Sequence, residues 1–97
     1  MIWFDWDEKK NKSNQKKHGV SFEEAQGVFF DDEALVYDDP NHSEDEERFL
    51  IYGKSPKLRV LLVCHCYKAD ESVIRIISAR KATSNERFFY NRKGKVT

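Results

Sequence analysis

Residues 72 to 90, SVIRIISARKATSNERFFY, constrain the fold more than any other stretch, because one structural grammar gives way to another within them. Val73, Ile74, Ile76 and Ile77 are β-branched, and crowding at Cβ favours an extended pleat, so 72 to 80 reads as a strand. Thr83 followed three residues later by Glu86 has capping-box spacing, in which each side chain satisfies a backbone donor at a helix start. Gly94 supplies the stop. A strand that turns directly into a capped helix must find its pairing edge and its apolar partners upstream.

Upstream the chain offers both. Runs at 46 to 54 and 58 to 67, with turns at SPK and KADE, complete a meander with 72 to 80. Residues 2 to 6, IWFDW, alternate well enough for a first strand. Asp5 and Glu8 have capping spacing, and Gly19 closes a helix over 7 to 17. That helix is polar on every side, so it belongs on the surface; Lys9, Lys10, Lys12, Lys16 and Lys17 form either a solvated face or a phosphate contact. Ser21 and Glu24 form a second capping box, and Phe22, Ala25 and Phe29 recur at helical spacing, which predicts an amphipathic helix over 22 to 30 ended by Asp31 and Asp32. ALVYD (34 to 38) is a short strand, and DDPNHSEDE after it is a loop in which His42 is exposed and structural. The expected architecture is α+β: an antiparallel meander sheet with two N-terminal helices and one C-terminal helix, the helices on one face.

Ninety-seven residues suit one domain, 1 to 97, with one modest core. No apolar run approaches the roughly 20 residues needed to span a bilayer, and MIWFDWDEKK lacks the order of a secretory signal, so a cytoplasmic location without membrane contact is expected. Cys64 and Cys66 share a strand face too close for a normal disulfide, and alternation sends His65 to the other face; reduced thiols and no metal site follow. No cofactor is implied. The net charge of zero hides an uneven distribution. Residues 31 to 47 hold nine acids and no Lys or Arg, whereas 48 to 97 hold twelve basic and three acidic side chains. The basic half suits a polyanion unless the acidic segment neutralises it.

Two-residue tips at Pro56–Lys57 and Ala69–Asp70 would set the register. One face then carries Arg48, Tyr52, Lys54, Arg59, His65, Ser78 and Arg80; the other, nearly all apolar, carries Cys64, Cys66, Ile77 and Ala79, with Arg75 as its one offender. On the first face Arg48 beside His65 puts a fixed cation next to an imidazole of suitable pKa, while Lys54, Arg59 and Arg80 cluster as though around an anion.

The 72 to 90 stretch also carries a resemblance. IRIISARKA with Glu86 and Tyr90, FDWD (4 to 7), KHGVSFEEA (17 to 25), DDPNHS (38 to 43) with Glu47 and Arg48, and His65 together resemble the BrnT toxins, small RelE-like ribonucleases of bacterial toxin–antitoxin pairs. The resemblance implies a RelE-like fold and an endoribonuclease that cleaves RNA without metal and arrests translation and growth. It also implies neutralisation by a cognate BrnA-like antitoxin, through which alone DNA is contacted. Metal-free cleavage needs a base for the ribose 2′-OH, a cation for the pentavalent phosphate and an acid for the leaving oxygen. His65 could act as base or acid, with Glu47 or Tyr52 complementary to it and with Arg48 and Arg80 on the phosphate. Ser78 could orient one of them, and Lys54, Arg59 and Tyr52 could hold RNA. The competing expectation is an inert interaction or RNA-binding module on the same scaffold, with His65 merely structural.

Overall fold

The computed structural model describes residues 2–41 and 46–93; His42 and Gly94 lie outside that range. In chain order it contains β1 (Trp3–Asp5), α1 (Glu8–His18), α2 (Phe22–Gln26), a 3-10 turn (Gly27–Phe30), β2 (Leu35–Asp38), β3 (Phe49–Lys54), β4 (Val60–Lys68), β5 (Val73–Lys81) and α3 (Ser84–Lys93). The strands form one sheet in the order β1-β5-β4-β3-β2. The expected meander is β3 to β5, antiparallel; β2 adds to it antiparallel beside β3, while β1 crosses to the far edge and runs parallel to β5.

The polar helix α1 is held by two asparagines rather than by an apolar stripe. Asp7, not Asp5, caps it, accepting from the backbone N–H of Lys9 at 2.8 Å, and Gly19 closes it at φ 71°. Asn11 and Asn14 are buried beneath it. Asn14 Nδ2 donates to the carbonyls of Val20 (2.9 Å) and Ala79 (2.8 Å), and its Oδ1 accepts from Ala79 N–H at 3.1 Å. Because β1 ends at Asp5 opposite Arg75, the edge of β5 beyond that point has no strand beside it. The Asn14 amide stands in for the missing ladder.

Ser21 caps α2 by accepting from Glu24 N–H, but the Glu24 carboxylate leaves the cap for Arg59 and Ser55, so only half of that capping box forms. The helical spacing holds to Gln26 and then tightens into the 3-10 turn, which lowers Val28 onto β3. Gly53 permits this approach, since a Cβ there would lie 2.6 Å from Val28 Cγ1. Val20, Phe22, Ala25 and Val28 form the main core with Ile51, Leu61, Val63, Ile76 and Ala79. Leu35, Val60, Ala82 and Tyr90 cluster with Tyr52 on the opposite side of the sheet. The helices therefore do not share one face as expected, because α3 lays Tyr90 on the side that α1 and α2 leave open.

The expected register is corrected at both turns. Ser55 N–H bonds to Arg59 O and Leu58 N–H to Ser55 O, so the β3–β4 loop has three residues, with Leu58 at φ 63°. Phe49, rather than Arg48, therefore pairs with His65. The β4–β5 turn is also longer, since Lys68 pairs with Val73 and Ala69, Asp70 and Glu71 all have positive φ. Farther along, the pairing shifts from His65↔Ile76 to Cys64↔Ser78, leaving Ile77 as the extra residue of a β-bulge. One residue of slip and one bulge exchange the faces.

Candidate active face of the sheet

Cross-strand rows on the side away from α1 and α2 follow from the observed register. Asp5, Arg75 and Cys66 form one row, with Arg48 just before β3 near its end; Ser78, Cys64, Leu50 and Tyr37 form the next, and Arg80, Leu62, Tyr52 and Leu35 the third. The bulge at Ile77 is decisive here. Arg75 and Arg80 are five residues apart, and strict alternation would put them on opposite faces; the extra residue turns Ser78 and Arg80 to the side of Arg75. Arg48, Tyr52, Lys54, Ser78 and Arg80 share this face as expected, while Arg75, assigned by alternation to the core, joins them.

Each arginine is oriented by a carboxylate and keeps about a third of its side chain in solvent. Arg75 reaches Asp5 at 2.7 Å, and Arg48 reaches Glu46 at 3.2 Å. Arg80 makes a two-pronged contact with Glu86, at 2.8 and 3.0 Å. The same carboxylate accepts from Tyr52 Oη (2.8 Å) and from Thr83 N–H (2.8 Å), while Thr83 Oγ1 accepts from Glu86 N–H at 3.2 Å. The capping box read from the sequence is complete, and it also fixes Arg80. The capping spacing alone gave no sign of that second task.

His65 does not lie on this face. Its side chain is 0% exposed and sits among Phe29, Phe49 and Tyr67, with ring centroids 4.8, 6.0 and 5.4 Å away. Nδ1 lies 3.4 Å from Val63 O, and Nε2 has no partner among the described residues. Arg59 likewise points to the helix side, where Nε bonds Glu24 at 3.0 Å and Nη2 bonds both Glu24 and Gly19 O. It ties the β3–β4 loop to the start of α2. The expected clusters of Arg48 with His65, and of Arg59 with Arg80, are not formed. Lys54 N–H is bound by Asp31, and its exposed side chain borders a groove of about 390 Å³ with Lys81 and Arg87. Glu47 is exposed and, with Phe49, lines a separate cleft at the end of the sheet.

The family model for the BrnT ribonuclease toxins of type II toxin–antitoxin systems matches residues 6–86. The chain belongs to that family. The crystal structure of the BrnT ribonuclease toxin of Brucella abortus superposes with a TM-score of 0.66 at 23% identity, covering 87% of this chain and 100% of that one. It shows the shared fold. Among curated proteins none matches significantly.

For a BrnT-family face, the charge states matter as much as the positions. Arg80, chiefly, holds the Glu86 carboxyl down to about 2. Burial, reinforced by Glu86, pushes the Tyr52 hydroxyl up to about 12. Neither group exchanges protons at neutral pH; together they form a rigid mount for a guanidinium. Burial also pushes the Cys64 thiol, beside Asp39, up to about 11, so it stays protonated and unreactive. Burial lowers His65 to about 4, so its imidazole is neutral. Among the described residues no three metal-ligating side chains converge, and no helix is long and apolar enough to cross a membrane.

Proposed function

We propose that this chain is a cytoplasmic toxin that cleaves RNA by metal-independent internal transesterification, arresting translation and growth until a cognate BrnA-like antitoxin binds it. The observation that carries the reading is the set Arg48, Arg75 and Arg80 on one open sheet face. Arg48, just before β3, and Arg75 on β5 are two strand spacings apart, about 10 Å, which suits one stretch of single-stranded RNA laid across the sheet. Arg80, held flat by Glu86 and Tyr52, stabilises charge on the pentavalent phosphate; Arg48 and Arg75 hold the flanking strand. Ser78, exposed between the arginine rows, donates to a phosphate or ribose oxygen. The described part of this face has no histidine, so water takes the 2′-OH proton and protonates the leaving 5′ oxygen, the arginines supply charge stabilisation, and His65 packs the core. Lys54 extends the basic track, and DNA is met only through the antitoxin.

A second reading has one observation in its favour. Every arginine on the face already has a carboxylate partner, which suits an inert interaction module. Cleavage assays on defined RNA with purified protein separate the two. The parent should cleave in the presence of a chelator, and Arg80→Ala and Arg75→Ala should each lower the rate, Arg80→Ala by about 100-fold, the scale of one lost oxyanion donor. Absence of cleavage by the folded parent selects the module.

A further inference from the structure

The edge strand β2 has a use that the arginine face leaves unexplained. Four residues long, it closes the sheet with only β3 beside it. Asp39 N–H bonds to Arg48 O in the same register, so alternation along an antiparallel pair turns the N–H and C=O of Val36 and Asp38 outward. Of the devices that blunt edge strands, β2 has shortness and the charge of Asp38, but Leu35–Asp38 contains no lysine, proline or bulge. Its side chains are instead apolar and exposed, Val36 by 54% and Tyr37 by 41%, and they continue onto Phe89 of α3, also 54% exposed. Two clefts, of about 480 and 400 Å³, meet at Tyr37 and Phe89.

Charge selects the occupant. Asp32, Glu33 and Asp38 lie in or beside β2, within the 31 to 47 segment that has nine acids and no Lys or Arg. That field repels RNA, and it repels the same edge of a second copy. An extended segment with apolar side chains and cations is attracted. We infer that β2 and the Tyr37–Phe89 cleft receive a basic, apolar strand of the cognate antitoxin, which adds a sixth strand to the sheet through Val36 and Asp38. Main-chain hydrogen bonds supply affinity in such strand addition, and pockets for alternate side chains supply selectivity. The cleft is also lined by Tyr52 and Glu86, which mount Arg80. An added strand there covers the approach to that arginine, so a single contact both binds and silences. This inference rests on the toxin–antitoxin reading above.

The test uses the full chain and the purified full-length antitoxin encoded with it. Amide hydrogen exchange should show new protection at Val36 and Asp38 on mixing. Val36→Pro removes an outward N–H without touching the β3 ladder, and Asp38→Lys reverses a charge on the edge. Each should weaken antitoxin binding by about 10-fold or more while RNA cleavage by the free toxin stays at the parental rate. If Val36→Pro does not fold, Asp38→Lys and the exchange map of the parent decide. Protection elsewhere with parental affinity in both variants overturns the docking site and leaves the toxin–antitoxin reading intact; an antitoxin that does not bind the parent at all overturns both. Protection of these amides by RNA, or by the chain alone as its concentration rises, also overturns the inference.

Discussion

At the scale of single residues, the same side-chain type takes opposite tasks according to which face it occupies. Arg59 and Arg80 both meet a glutamate, yet Arg59 ties a loop to Glu24 and Gly19 on the helix side, while Arg80 stands on the opposite face of the sheet. The Thr83–Glu86 spacing was fully legible, because a cap is local. His65 was not, since its face depended on loops several residues away. Its burial gives a pH prediction. The folded pKa of about 4 lies below the unfolded value, so the unfolded chain takes up the proton first. The stability from neutral His65 is complete above roughly pH 6.5 and is lost as pH falls toward the folded pKa, about 3 kcal/mol in all. Urea unfolding of the parent between pH 7 and pH 4 should show that loss, and His65→Leu should lack it. Glu86, whose folded pKa is also depressed, adds a separate loss only below about pH 4.5. An unchanged pH slope in His65→Leu would assign the loss to other groups.

At the scale of elements, most strands and helices were readable from β-branching, capping spacing and Gly19, and the meander from its turn residues. What failed was register. Pro56 itself carried the missing signal: its ring fixes φ near −65°, whereas two-residue hairpin loops need positive φ at their first central position, so a longer loop was required. The turn at Ala69, Asp70 and Glu71 and the bulge at Ile77 contain no glycine, and nothing local announces them. The bulge matters most, because without it Arg75 and Arg80 would face apart. The polar helix α1 shows the same limit from the other side. No apolar stripe marks its buried face, and two asparagines carry it. Replacing Asn14 with Leu would leave the N–H and C=O of Ala79 and the C=O of Val20 without that partner, at a cost of about 3 kcal/mol. For a chain of this size the melting temperature should fall by roughly 10 to 20 °C. A loss of only a degree or two would mean that water or β1 takes over the Ala79 edge.

At the scale of the whole molecule, the zero net charge resolves into two regions set apart by strand order. Arg75 and Arg80 stand on β5, whereas Asp38 stands on β2, three strand spacings away, about 14 Å. The Debye length in physiological salt is roughly 8 Å, so salt screens the acid on β2 from Arg75 and Arg80. Local partners Asp5, Glu46 and Glu86 orient the guanidiniums without enclosing them; on the proposed reading each guanidinium reaches a phosphate when RNA arrives, Arg80 without leaving Glu86. Three such contacts on single-stranded RNA should make the logarithm of affinity fall against the logarithm of salt with a slope of about −2, at roughly −0.7 per contact. Binding of a non-cleavable RNA, measured from 50 to 300 mM salt, gives the slope. Arg75→Ala should make it shallower by about one contact. A flat response in the parent would mean that the carboxylates keep their arginines, and the charge on this face would then serve the fold rather than RNA.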